Sequence, residues 1–374
     1  MRIEQVVLHR VAMPLVRPFE TSFGTQAARD VLLVHVRSDV GDGWGECVAG
    51  ADPLYSSEYV EGAAHVLRTY LVPALLAQPE VTAESVAETL AFVAGHRMAK
   101  AALEAAVLDA QLRAEGMSMG TYFGAEREWV DCGVSVGIAG SIDELLDEVA
   151  GYIEEGYRRI KLKVKPGWDL LPVNAVREEL GPDRLLQVDA NSAYRAHDIP
   201  LLAELDAFRL VLIEQPFPEE DIATHAALAA EIETPVCLDE SILDADVALD
   251  AIERGATSVI NIKAGRVGGY LEAVRVHDLC RAVDVSVWCG GMLETGVGRA
   301  ANVALAALPG FTLPGDTSAS RRYFADDLTE PFELGTGEHR GQLRVPDGPG
   351  TGVTVRDDLL RAWATREPEV LRRA

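Results

Sequence analysis

The sequence predicts an α/β protein built on a (β/α) barrel, with an α+β domain before it and a tail that packs back onto that domain. From about residue 130, short apolar runs alternate with helical segments, which implies parallel strands joined by right-handed crossovers. Roughly eight such units fall within about 185 residues, a density that suits a closed barrel better than an open doubly wound sheet. No G-x-G-x-x-G follows the first strand, so a dinucleotide fold is disfavoured.

Residues 1–125 form the first unit. "IEQVVLHRVAMPL" and "RDVLLVHVRSDVGDGWGEC" read as strands, with a Gly-rich turn at Gly41–Gly45. "SSEYVEGAAHVLRTYLVPALL", "TAESVAETLAFVAG" and "RMAKAALEAAVLDAQLRAEG" read as helices, with Ser57 or Thr82 as N-caps and Gly116 as a stop. Strands followed by helices make an α+β domain. The barrel occupies 126–320, its strands being "CGVSVGI", "RIKLKV", "LLQVDA", "LVLIEQP", "PVCLDES", "SVINIKAG", "VSVWCGGM" and "FTLPGD". The remainder, 321–374, holds a strand-and-turn stretch, "GQLRVPDGPGTGV", and returns to the first domain.

The chain has 374 residues and a formal charge of -25. That acidity disfavours nucleic acid and anionic membranes as partners. No apolar run of about 18 residues is present, so no membrane span is expected. The opening "MRIEQVVLHR" lacks a signal-peptide core. Five scattered cysteines with no C-x-x-C pair point to reduced thiols and a cytoplasmic protein.

The strand ends carry the chemistry. Lys163, Asp189, Glu214, Asp239 and Lys263 follow one another at intervals of 26, 25, 25 and 24 residues, one strand–helix unit each time. Each therefore lies at the same end of the barrel, the end where barrel active sites form. A single charged residue there is usually a loop cap or half of a salt bridge. Five in register, each directly after an apolar run, are too costly to bury without a use. Three adjacent carboxylates repel one another and call for a cation. Hard oxygen ligands with no nearby His or Cys suit Mg²⁺ or Mn²⁺ rather than Zn²⁺.

Lys163 and Lys263 flank those carboxylates, an arrangement for a proton acceptor on one side of a carbon and a donor on the other. A lysine is a poor base at its ordinary pKa, and burial, a cation or a like charge would lower it. Lys161, two residues from Lys163 on one strand face, supplies such a like charge, or else pairs with a carboxylate on a neighbouring strand. A carbon acid beside a carboxylate is very weakly acidic, so its enolate needs strong charge stabilisation together with a placed base.

The motif set resembles the muconate-lactonizing subgroup of the enolase superfamily. "KLK" 161–163, "DAN" 189–191, "IEQP" 213–216, "LDES" 238–241, "NIKAGRVGG" 261–269 and "GWGE" 43–46 carry the resemblance, which covers nearly the whole chain. "RPFETSFGT" 17–25, "PLYSSEY" 53–59, "GHRMAKAALE" 95–104, "VWCGGMLETGVGRAANVALAALP" 287–309 and "FTLPGDTSAS" 311–320 are most similar to the o-succinylbenzoate synthase / N-acylamino acid (N-succinylamino acid) racemase family. The resemblance implies a modified TIM (β/α)7β barrel under a cap built from the N-terminal segment and the C-terminal tail. It implies Lys163 and Lys263 as the acid/base pair, with Asp189, Glu214 and Asp239 holding the metal. Asn191 and Lys161 would support the substrate carboxylate. Ser135, Gly291 and Met292 would line the acyl side, and the 17–25 loop, with Phe19 and Phe23, would close over the ligand. Phe19 and Phe23 serve equally well as packing residues of the cap. Relatives of this kind are commonly homo-oligomers.

The expected activity is dehydration of 2-succinyl-6-hydroxy-2,4-cyclohexadiene-1-carboxylate, a menaquinone-pathway step, together with or replaced by racemisation of N-acylamino acids. No His stands in "WCGGMLE", where the mandelate-racemase subgroup keeps its base, which disfavours sugar-acid dehydration. Muconate cycloisomerase and dipeptide epimerase share the enolate step. Dipeptide epimerases need more acid near the last strands than Asp316 offers. A Schiff-base lysine lyase is the reading from another class, and a non-catalytic metal scaffold is the last.

Overall fold

Long antiparallel strands open the chain: β1 (Ile3–Thr21), β2 (Gly24–Ser38) and β3 (Gly41–Cys47). The computed structural model describes residues 1–373. The run "VLLVHV" is buried throughout because the sheet is covered on both faces. Leu32, Val34 and Val36 pack into the core shared with the cap helices, while Val31 and Leu33 pack with Val297 of the barrel and Tyr323, Phe324 and Leu328 of the tail. Gly43 and Gly45 alternate on β3 where the helix Arg97–Glu115 lies directly against it. A Cβ at either position would overlap the carbonyl oxygen of Ala106 or Ala102.

The helices differ from expectation at several points: the stretch expected to be helical through Gly95 ends at Thr89, and a π-helical turn, Leu67–Leu71, interrupts the first helix. Thr82 precedes the helix Ala83–Thr89 and Gly116 ends Arg97–Glu115 in a left-handed conformation, as the sequence suggests. Ser57 caps nothing: the helix begins at Val60, and residues 51–57 instead form turns and bends between β3 and that helix.

A short strand, β4 (Trp129–Asp131), leads into seven parallel strands: β5 (Gly133–Val136), β6 (Arg159–Lys163), β7 (Leu185–Asp189), β8 (Ile213–Glu214), β9 (Val236–Leu238), β10 (Val259–Ile262) and β11 (Ser286–Cys289). They lie side by side in chain order. The segment 311–316 spans the two edges. Phe311 bridges Val287 of β11, Gly315 bridges Cys132, and the Gly133 amide donates to the Gly315 carbonyl at 2.7 Å. This eighth position is not a continuous strand because Pro314 has no N–H to give the ladder. The tail pairs twice: β12 (Gln342–Arg344) with β4, and β13 (Glu369–Arg372) with β1, where Gln5 faces Arg372.

Glu46, the last residue of "GWGE", joins cap to barrel. Its carboxylate accepts from the Thr295 amide at 3.1 Å, the Thr295 hydroxyl at 2.7 Å and the Gly298 amide at 3.1 Å, capping the helix Gly296–Ala306. Burial, and then the nearby Glu294 carboxylate, pushes the Glu46 carboxyl up to about 7. The folded protein holds that proton more tightly than the unfolded chain does. The stabilisation is therefore full below the ordinary carboxylate range and is lost as pH rises through about 7. Its size is on the order of 3 kcal/mol. Glu46→Gln is expected to flatten the fall of Tm between acidic and neutral pH. An unchanged slope in thermal melts would remove Glu46 from that linkage.

Candidate active site

β6 starts the site. Its alternation sends Lys161 and Lys163 to one face and Ile160 and Leu162 to the other, so both lysines enter the barrel. Registry then sets their neighbours: Lys163 faces Asp189, and Asp189 faces Glu214 on the next strand. Asp239 lies just past β9, and Lys263 just past β10. All five are buried.

The ammonium groups share the carboxylates. Lys163 Nζ lies 2.6 Å from Asp189 Oδ2 and 2.6 Å from Asn191 Oδ1. Lys161 Nζ approaches the same Asp189 oxygen at 3.2 Å, Glu214 Oε2 at 3.1 Å and Asp316 Oδ2 at 2.6 Å. The two lysines are thus bridged by one oxygen, and Lys161 does pair with neighbouring acids. Burial works against the Lys161 charge, but Asp316, Glu214 and Asp189 outweigh it and hold the ammonium above its ordinary range. The expectation of a lowered pKa applied to the reacting lysines, and Lys263 departs from it. Lys263 behaves alike: burial opposes its charge, and Tyr55, Glu240 and Glu214 together raise it. Lys263 Nζ sits 2.7 Å from Asp239 Oδ2 and 3.1 Å from Tyr55 Oη.

The carboxylates respond in kind. Burial would raise the Asp189 carboxyl, yet Lys163 and Lys161 hold it below the usual range. The Glu214 carboxyl is raised, by burial first and by Asp189 next. Burial and Asp189 likewise push Glu240 up to about 7. Glu240 Oε1 accepts from Asn191 Nδ2 at 2.9 Å, and its buried Oε2 has no partner. Backbone strain gathers at the same place. Asn191 (φ 42°), Ser192 (φ 64°) and Gln215 (φ 37°) occupy the left-handed region directly after β7 and β8.

Above the lysines lies a cavity of ≈ 270 Å³. Its wall holds Lys161, Lys163, Asn191, Lys263, Ser135, Gly291, Met292, Phe19 and Phe23, so these expected residues meet at one space. Asp189, Glu214 and Asp239 are not among the lining residues but ion-pair with the lysines of that wall. The 17–25 segment is not a free loop but the tip of the β1–β2 hairpin, with Phe19 opposite Gln26 and Thr21 opposite Gly24. It touches the barrel: Ser22 Oγ donates to the Asn191 carbonyl at 3.2 Å, and the Ile138 amide donates to the Glu20 carbonyl at 3.0 Å. Phe19 packs edge-on to Tyr323, and Arg322 lies 5.5 Å from the Phe19 ring centre.

Four participants escaped the sequence reading. Tyr55 reaches Lys263 and Asp239 from the 51–57 segment. Arg266 ion-pairs with Asp239 from the helical turn after Lys263, where the i+3 spacing in "KAGR" was a usable signal. Glu240 adjoins Asp239 in sequence. Asp316, weighed only as a lone acid, joins Lys161 to Arg159, which it meets at 2.8 Å.

No three His, Cys, Asp or Glu side chains among the described residues stand posed as a ligand shell. The acids are turned toward lysines and Arg266. Their kind still fits a hard divalent ion, since all donors are carboxylate oxygens and one, Glu240 Oε2, is buried and free. Asp189, Glu214, Asp239, Glu240 and Asp316 also balance Arg159, Lys161, Lys163, Lys263 and Arg266 in number.

The fold and site define a barrel-and-cap enzyme with lysines and acids gathered at the strand ends. The chain belongs to the enolase superfamily. Residues 3–124 match the mandelate racemase / muconate lactonizing enzyme N-terminal domain, and residues 144–359 match the enolase C-terminal domain-like family. An N-succinylamino acid racemase from Amycolatopsis sp is 61% identical over 360 residues, covering 96% of this chain and 97% of that one. An o-succinylbenzoate synthase from Geobacillus kaustophilus is 45% identical, covering 94% and 93%. The crystal structure of an enolase-superfamily member from Listeria innocua superposes with a TM-score of 0.94 at 38% identity, over 100% of both chains. A muconate cycloisomerase from Rhodococcus opacus is more distant, 30% identical over 94% of this chain and 95% of that one. Enolase-superfamily enzymes work with a divalent metal.

Proposed function

We propose that this protein racemises N-acylamino acids, N-succinyl derivatives foremost, and dehydrates the cyclohexadiene substrate to o-succinylbenzoate at the same site. The observation that carries this is the presence of two amines, Lys163 and Lys263, in the wall of one cavity, arriving from strands separated by β7, β8 and β9. The 61% identical racemase and the 45% identical synthase support the two substrates.

In racemisation Lys163 Nζ takes the α-proton with its lone pair. The C–H electrons pass into the adjacent carboxylate as an enolate. The Lys263 ammonium then delivers a proton to the opposite face, and the reverse direction exchanges the roles. Asp189, Glu214 and Asp239 would hold Mg²⁺ or Mn²⁺ once turned from their lysine and arginine partners. The bound ion supplies positive charge where the enolate's negative charge develops. Asn191 and Lys161 orient Lys163 and the acids, and the hairpin tip with Phe19 and Phe23 excludes water. In dehydration Lys163 removes the α-proton and the C–O bond breaks. Hydroxide leaves as water with a proton from an acid on the same face.

Dipeptide epimerisation is disfavoured because Asp316 is already engaged by Arg159 and Lys161. No helix is long and apolar enough to cross a membrane. Five buried free thiols support a reducing, cytoplasmic setting, and a homo-oligomer acting on a small carboxylate completes the reading.

The test is a two-substrate assay with Mg²⁺, comparing the cyclohexadiene carboxylate with N-succinyl and N-acetyl amino acids. Turnover of both classes is expected. Turnover of neither would overturn the proposed function, and a borohydride-trapped covalent adduct with full activity in EDTA would replace the enolate reading with lyase chemistry.

A further inference from the structure

The wall of the ≈ 270 Å³ cavity includes four cations: Lys161, Lys163, Lys263 and Arg29. The three lysines are matched by Asp189, Glu214, Asp239 and Asp316. Arg29 is not. Among the described residues no carboxylate lies within 4.0 Å of its guanidinium. Nη1 donates to the Ala49 carbonyl at 2.7 Å and to the Asp30 carbonyl at 3.2 Å. Nε and Nη2 are buried without a partner, and the residue is only 2% exposed. Glu46 is near enough to feel this charge, but its oxygens are committed to Thr295 and Gly298.

The fold explains why the charge stands there. Arg29 lies on β2 opposite Met13 and two residues before Val31, on the face that packs toward the barrel. The wall it shares holds apolar Phe19, Val48, Met292 and Leu293 beside polar residues such as Thr21 and Asp52. A guanidinium excluded from water and left unpaired is costly to maintain. Its planar fork matches a carboxylate in two-point contact better than any neutral group. The reacting carboxylate belongs at the lysine end.

We propose that Arg29 receives a second carboxylate of the substrate, carried at the end of a flexible arm. The inference rests on the proposed function for the reacting end. Two arms have this chemistry: a succinyl group on nitrogen, and an acidic amino-acid side chain.

Two substrate pairs separate them. N-succinylphenylalanine is compared with its N-succinamoyl amide, and N-acetylglutamate with N-acetylglutamine. Wild type is expected to favour the acid in one pair by about 30- to 100-fold in kcat/KM, mainly through KM. The pair that shows it identifies the arm. Arg29→Met is expected to bring that ratio to about 1, and Arg29→Lys, which keeps charge but loses the fork, to an intermediate value. Equal rates for acid and amide in both pairs would overturn the proposal. So would an Arg29→Met protein that keeps the wild-type ratio. If Arg29→Met does not fold, Arg29→Lys decides, and a ratio equal to wild type overturns it. If wild type turns over none of the four compounds, the functional reading fails on its own. Calorimetry with o-succinylbenzoate and Mg²⁺ then tests Arg29 directly. An affinity lowered at least tenfold by Arg29→Met or Arg29→Lys supports the site, and an unchanged affinity removes it.

Discussion

Lys163→Ala is expected to lower racemisation of both enantiomers by about 10³- to 10⁴-fold, and Lys263→Ala to do the same, because a placed acid or base is worth roughly that much. The two variants should differ in one respect. In D₂O each keeps the surviving lysine, so each should exchange the α-hydrogen of one enantiomer and not of the other. The cavity geometry supports this, since Lys163 leans on Asp189 and Asn191 while Lys263 leans on Asp239 and Tyr55. Neither amine has the other's supports, so neither substitutes for it. Wild-type turnover of both enantiomers by either variant would end the two-base assignment.

Removing divalent cations is expected to cost about three orders of magnitude in rate, recoverable with Mg²⁺ or Mn²⁺, since charge stabilisation of this kind supplies several kcal/mol. Glu214→Gln should weaken cation binding in calorimetry, a reading independent of turnover. Glu214 suits the test because its Oε1 accepts from Asn261 Nδ2 at 2.8 Å, a bond the amide oxygen of Gln can keep. Full activity in rigorously metal-free protein would sink the arrangement. Chelation that leaves the fold intact but stops both reactions would support one shared cation.

The strand-end residues were legible because a barrel converts sequence interval into position. Lys163, Asp189, Glu214, Asp239 and Lys263 recur once per unit, and parallel registry brings each to the same rim. The cap's contributions were not legible in this way. Tyr55, Glu46 and Arg29 reach their places only when the sheet docks, and no periodicity in the first 125 residues encodes that docking. Asp316 shows a different limit. Its identity was visible, but its pairing with Lys161 and Arg159 depends on a bridging segment that Pro314 keeps from forming a regular ladder. The Lys263 charge went the other way from expectation because Tyr55, Glu240 and Glu214 together outweigh burial, a sum no single motif displays.

The pairing of β13 with β1 has a consequence for synthesis of the chain. β1 waits at the ribosome's exit side while every barrel strand is translated, because the strand that completes its sheet comes after all of them. During that interval the outer edge of β1 near Gln5–Leu8 stays open to any other extended chain. A nascent protein stalled before residue 369 should therefore be prone to dimerise through that edge, and a released one should not.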